Sequence, residues 1–98
     1  GFNVYSAGVE AALLAHPAVQ DGAVFGLPDD KWGERVCAVV QLRTGHSATP
    51  GEIIGSVKTA IGSVKAPKEL EIWDDLPRSK IGKVLKKDIR SHMIDRAD

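Results

Sequence analysis

The sequence predicts an α+β domain: a small antiparallel or mixed three-stranded sheet with helices packed on its faces. Three observations carry that expectation. Apolar runs at 23–25, 35–42 and 70–73 have the length and the β-branched character of strands. Three other segments repeat apolar residues at helical spacing. Gly and Pro punctuation then cuts the chain into the order helix, strand, strand, helix, strand, helix. Two strands joined by a turn are expected to pair antiparallel, and a third to complete the sheet. At 98 residues this is one domain, too small for a two-domain enzyme with an enclosed pocket.

Each element has a local reason. Ser6 is placed to cap a first helix whose inward positions are Val9, Ala12, Leu13 and His16, with Pro17 beyond its end. Residues 18 to 27 form a strand that runs into a turn at Gly26-Leu27-Pro28-Asp29-Asp30. Arg35 to Leu42 is the second strand. In Thr49-Pro50-Gly51-Glu52 the threonine is a cap, the proline sits at the first helical position and the glutamate at the third. Ile53, Ile54, Val57 and Ile61 make that helix's apolar face. Leu70-Glu71-Ile72-Trp73 alternates as a third strand, with Trp73 structural, and a last helix from Lys83 sets Val84, Leu85, Ile89 and Met93 on a stripe that Ile81 precedes.

Composition narrows the function. A hydrophobic fraction of 43% and a charged fraction of 27% are ordinary for a folded domain and argue against disorder. Thirteen basic and thirteen acidic residues cancel, which removes a global electrostatic case for nucleic acid or an anionic membrane. The single Cys37 lies in Val36-Cys37-Ala38-Val39-Val40, where it reads as a small hydrophobe in a strand rather than a nucleophile, and a lone cysteine suits a reducing compartment. No run approaches the ~18 apolar residues of a membrane helix. A cytoplasmic protein is expected, and the absence of an initiator Met suggests part of a longer polypeptide.

Chemistry has few places to reside. His16, His46 and His92 lack metal-ligand spacing, so no metal site is expected, although His16 could bond the last carbonyls of its helix. There is no nucleophile elbow, phosphate-binding P-loop or dinucleotide glycine pattern. Positive charge is nevertheless concentrated: Arg78, Lys80, Lys83, Lys86, Lys87 and Arg90 stand against the single Asp88. Lys86, Lys87 and Arg90 fit a solvated face toward the helix C-terminus, where cations complement the dipole. Lys83 is different, because a cation opening a helix opposes the dipole, and the preceding Gly82 gives the backbone unusual freedom. One reading of the 78–90 patch is a free-standing module that binds phosphorylated ligands or nucleic acid.

Pro77-Arg78-Ser79-Lys80-Ile81-Gly82-Lys83-Val84-Leu85-Lys86-Lys87 resembles the Pro-x-x-x-x-Gly-Lys-Val-x-(Lys/Arg)-(Lys/Arg) signature of adenylate-forming enzymes, the superfamily of acyl- and aryl-CoA synthetases, peptide-synthetase adenylation domains and luciferases. Gly1-Phe2-Asn3-Val4-Tyr5-Ser6-Ala7-Gly8-Val9-Glu10 is similar to a second segment of that family, with Ser6 where Pro is usual and Gly8 where Glu is usual. His16-Pro17-Ala18-Val19, Gly26 to Glu34 and Lys65-Ala66-Pro67-Lys68 continue the series in order, so the resemblance covers the whole chain. It departs again at Val64 and Ala66, where some CoA ligases carry an aromatic and an Arg. The Trp32-Gly33-Glu34 block resembles acyl- and aryl-CoA ligases more than peptide-synthetase domains.

The resemblance implies the mobile C-terminal lid of a larger enzyme, residues 1–98, whose N-terminal domain holds the acid pocket and the ATP and Mg2+ sites. Lys83 would be the catalytic lysine that reaches the carboxylate and α-phosphate during adenylation, with Gly82 supporting its loop. After rotation of the domain, coenzyme A would be contacted by Trp32 and Lys68, with Gly1 opening the segment that lines the thiol's route. Its partners would be its own N-terminal domain, a carboxylic acid, ATP and CoA, without nucleic acid, and the isolated chain would be inactive. Lys83 also resembles lysines whose acetylation switches related synthetases off.

Overall fold

The computed structural model describes residues 6–30 and 33–97. Its elements follow the expected order: α1 (Ser6–Leu14), β1 (Val19–Asp29), β2 (Gly33–Leu42), α2 (Pro50–Ile61), β3 (Glu69–Ile72) and α3 (Lys86–Ala97). The sheet is mixed, in the order β1-β2-β3, with β1 antiparallel to β2 and β3 parallel to it. A parallel return needs a crossover, and α2 provides it between β2 and β3.

Strand β2 is central and buried on both faces, which is why its apolar run is continuous rather than alternating. Ala38 and Val40 point into one core with Val9, Leu13, Val24, Ile53, Val57 and Leu70, beneath α1 and α2. Cys37 and Val39 point into the other with Ala23, Phe25, Leu27, Leu76, Ile89 and Met93, beneath α3. Cys37 is fully buried, as its setting suggested.

Local signals are met where the chain has few alternatives. Thr49 Oγ1 accepts the Glu52 N–H at 3.1 Å, Pro50 opens α2, and Gly62 at φ 90° closes it by donating its N–H to Lys58 O at 2.8 Å. Ile53 and Val57 are buried, with Ile54 and Ile61 packed against the same core. Helix α1 begins at Ser6, the residue read as its cap, and ends at Leu14. His16 therefore lies past the helix, and its Nδ1 accepts the Ala18 N–H at 3.1 Å instead of donating to the helix carbonyls.

Four expectations are corrected. The segment read as a turn, 26 to 30, continues β1 through Asp29, because an edge strand tolerates the missing N–H of Pro28. The last helix starts at Lys86, not Lys83, because residues 77–85 close on themselves before it. Lys86 and Lys87 consequently occupy the first turn of α3 rather than its C-terminal end. Ile81 does not join the apolar stripe; it is 88% exposed.

The two cores predict separable losses. Ile89→Ala should lower stability by about 2–5 kcal/mol through the cavity left beneath α3. Thr49→Ala should cost only about 1 kcal/mol, the usual effect of a lost cap. Urea unfolding of the chain measures both, and equal effects would show that α3 does not cover a packed core.

Candidate functional site

Residues 77–85 form a small hairpin on the α3 side of the sheet. Leu85 N–H donates to Pro77 O at 2.9 Å, Ser79 N–H to Lys83 O at 2.8 Å, and Gly82 N–H to Ser79 O at 2.9 Å, with Arg78 bridged antiparallel to Val84. The loop is Lys80-Ile81-Gly82, a turn followed by a residue at positive φ, and Gly82 has φ 85°. That conformation requires the glycine: a Cβ here would meet nothing within 4 Å, so strain and not crowding selects it. Lys83 stands at the exit of the loop, ahead of the helix, so the helix dipole does not oppose its charge as the sequence suggested.

Most of the neighbouring cations are engaged. Arg78 NH1 donates to Asp21 Oδ2 at 2.9 Å and NH2 to Gln41 Oε1 at 2.7 Å. Lys86 Nζ lies 3.0 Å from Glu10 Oε2, the same oxygen that accepts the Val24 N–H at 3.2 Å. Arg90 Nε donates to Gly26 O at 2.7 Å, tying α3 to β1. Lys83 is exposed and its ammonium makes no hydrogen bond or ion pair among the described residues. The apparent basic face is thus half internal bracing.

The register of β1 on β2 explains the Arg78 partners. Val19 pairs with Leu42 but Asp21 pairs with Gln41, so Gln20 is the extra residue. Asp21 pairs with Gln41 in the same alternation that sets Ala23 opposite Val39 and Phe25 opposite Cys37 on the α3 face, and the bulge sends Val19 to the other core. Sequence reasoning counted Arg78 only as surface charge. Two polar residues, Asp21 and Gln41, at the same end of otherwise apolar strands were the available signal.

A groove of about 790 Å³ runs along the outer edge of β1. It is lined by Glu10, Asp21, Gly22, Lys83, Lys86 and Lys87 among others, which sets the unpaired Lys83 and Lys87 beside two carboxylates that are already bonded. Lys68 is elsewhere: it is exposed and borders two other grooves, of about 380 and 450 Å³, the second shared with Glu34, Arg35, Val36 and the 88% exposed Val64. Lys83 and Lys68 thus line different grooves. Gly1 and Trp32 lie outside the described residues. Trp73 packs within the α3-side core, donating Nε1–H to Glu71 at 3.0 Å and meeting His92 edge-on at 5.2 Å, a structural role.

Comparison with known proteins fits this arrangement. The family described as AMP-binding enzyme C-terminal domain matches residues 8–83, ending on Lys83. The chain belongs to that family. As an AMP-binding C-terminal domain it is 41% identical over 92 residues to human mitochondrial malonate–CoA ligase ACSF3, covering 94% of this chain and 16% of the relative. It is 44% identical over 98 residues to the medium/long-chain-fatty-acid–CoA ligase FadD8 of Mycobacterium tuberculosis, covering 93% and 17%. The apo MatB structure from Rhodopseudomonas palustris superposes with TM-score 0.85 at 33% identity, over 97% of this chain and 19% of that one. The chain thus spans about a sixth of the length of the curated relatives it matches. No helix among the described residues is long and apolar enough to cross a membrane, and no group of three or more His, Cys, Asp or Glu among them could hold a metal ion.

Two glycines of this AMP-binding domain should respond to alanine with opposite signs. Gly82→Ala forces a left-handed residue and should destabilise by about 1–2 kcal/mol. Gly55→Ala, inside α2 with open space around it, should stabilise by about 0.5–1 kcal/mol. Paired thermal melts read both, and a neutral Gly82→Ala would contradict the hairpin geometry.

Proposed function

We propose that this chain is the C-terminal lid of an ATP-dependent acyl-CoA ligase and that Lys83 is its catalytic lysine for adenylate formation. One observation carries the proposal: Lys83, unengaged like Lys80 and Lys87 among the described residues, stands at the exit of a braced hairpin on the β1 groove, while Arg78, Lys86 and Arg90 are bound internally. In the reaction a carboxylate oxygen attacks the α-phosphorus of ATP and the bond to the β-phosphate oxygen breaks. Pyrophosphate leaves, and acyl-adenylate remains. Negative charge gathers between carboxylate and α-phosphate, where a positioned ammonium stabilises it, and a rigid mount keeps that ammonium from reorganising during the step.

In the second half-reaction the CoA thiol would attack the acyl carbonyl and release AMP. Lys68 suits the phosphates of CoA, and its separation from the Lys83 groove fits a domain that presents two faces in turn. Trp32 and Gly1 are proposed for the same acceptor side. Mg2+ would arrive with ATP and be held by the N-terminal domain. The names of the relatives span malonate and fatty acids at similar identity, which supports assigning the choice of acid to that other domain as well. The phosphate- or nucleic-acid-binding module has no observation in its favour, since three of the six cations in its patch are internally bonded.

The test uses the full-length protein. Lys83→Ala should depress acyl-adenylate formation at least about a hundredfold while thioester formation from supplied acyl-adenylate stays near wild type. Unchanged pyrophosphate release would sink the assignment. Acetylation of Lys83 removes the same charge and should reproduce the defect, reversibly on deacetylation; full adenylation at stoichiometric acetylation would rule that out.

A further inference from the structure

We propose that Arg78 is the positioning residue for Lys83: through Asp21 and Gln41 it locks the hairpin to the sheet and orients the peptide unit that carries the lysine. The inference rests on the adenylation role of Lys83 proposed above. Its basis is geometric. One guanidinium reaches three elements, Asp21 on β1 at 2.9 Å, Gln41 on β2 at 2.7 Å and, at 3.5 Å, the carbonyl of Gly82. That carbonyl belongs to the peptide bond joining Gly82 to Lys83. The N–H of the same peptide donates to Ser79 Oγ at 3.2 Å, so the peptide plane is held from both ends.

The rest of the hairpin cannot supply this. Its base is fixed by buried Leu76 and by Val84, which packs on the α3-side core, but Lys80, Ile81, Gly82 and Lys83 are all exposed. Without Arg78 the hairpin would rock about its base while remaining folded. The two receiving groups are also specially placed. Asp21 lies on the α3 face in register with Ala23 and Phe25, and Gln41 stands directly across from it. A planar fork of five donors can satisfy a carboxylate, an amide and a carbonyl together, whereas a lysine offers a single point charge at the end of a flexible stem. Charge is therefore kept at Arg78→Lys while the geometry is lost.

Transient kinetics of the full-length protein, with the two half-reactions measured separately, test the proposal. Arg78→Lys should slow acyl-adenylate formation about 10- to 100-fold, the scale of an ångström misplacement, as a fall in kcat with KM for acid and ATP little changed. Thioester formation from supplied acyl-adenylate should hold. Asp21→Asn should weaken adenylation in the same way, and adding Gln41→Glu, which returns one carboxylate and one amide to the guanidinium, should recover most of the loss. On a Lys83→Ala background, Arg78→Lys should add nothing. Wild-type adenylation in Arg78→Lys, equal loss in both half-reactions, absence of rescue, or additivity with Lys83→Ala would each overturn it. Should Arg78→Lys fail to fold, the Asp21→Asn and Gln41→Glu pair decides alone. Lys83→Ala reports separately on the lysine: a large adenylation loss there with a silent Arg78→Lys refutes the brace and leaves the lysine's role standing.

Discussion

Everything in this domain hangs from one strand that is buried on both sides. Because Cys37 and Val39 face one way and Ala38 and Val40 the other, β2 nucleates two cores at once. Each core demands its own cover. The helices α1 and α2 supply the first, and α3 with Leu76 and Val84 supplies the second. The hairpin that carries Lys83 enters the second cover through Val84, so the position of the lysine is set by packing that begins at the centre of the sheet.

From that centre outward the polar contacts are placed in series. The bulge at Gln20 leaves one residue unpaired in the ladder and sends Val19 to the α1 and α2 core, while Asp21 stays on the α3 face with Ala23 and Phe25. Asp21 and Gln41 then receive Arg78, and the hairpin closes over a glycine at φ 85°. Lys86 and Arg90 lock the following helix to Glu10 and to the carbonyl of Gly26. Bracing on both sides of Lys83 leaves its exposed ammonium without an ion pair among the described residues.

How far the sequence was legible follows from the range of each signal. Thr49, Pro50, Glu52 and Gly62 act within one turn of chain, and they gave α2 its bounds directly. The continuous run from Val36 to Val40 identified a buried strand for the same reason, and the structure adds that both of its faces are covered. Failures came where the deciding contact is distant. The start of α3 was misplaced because apolar residues at Val84 and Leu85 continue its periodicity, while hydrogen bonds back to Pro77 and Ser79 withhold residues 83 to 85 from the helix. Pro28 read as a turn former because nothing local says that β1 is an edge. At the site, Gly82 and Lys83 were visible as a motif. The bracing arginine was not, since its partners lie 57 and 37 residues away.

The carboxylate of Glu10 has a consequence for life in a crowded solution. Strand β1 forms an edge of the sheet, and edges invite strands from other molecules. Here an edge N–H, that of Val24, is already taken by Glu10, whose oxygen is in turn shared with Lys86. An incoming strand would have to strip away an ion pair before its own ladder could form, and at the other edge β3 offers only four residues to pair with. A domain with edges covered in this way is thereby discouraged from pairing strand to strand with its copies.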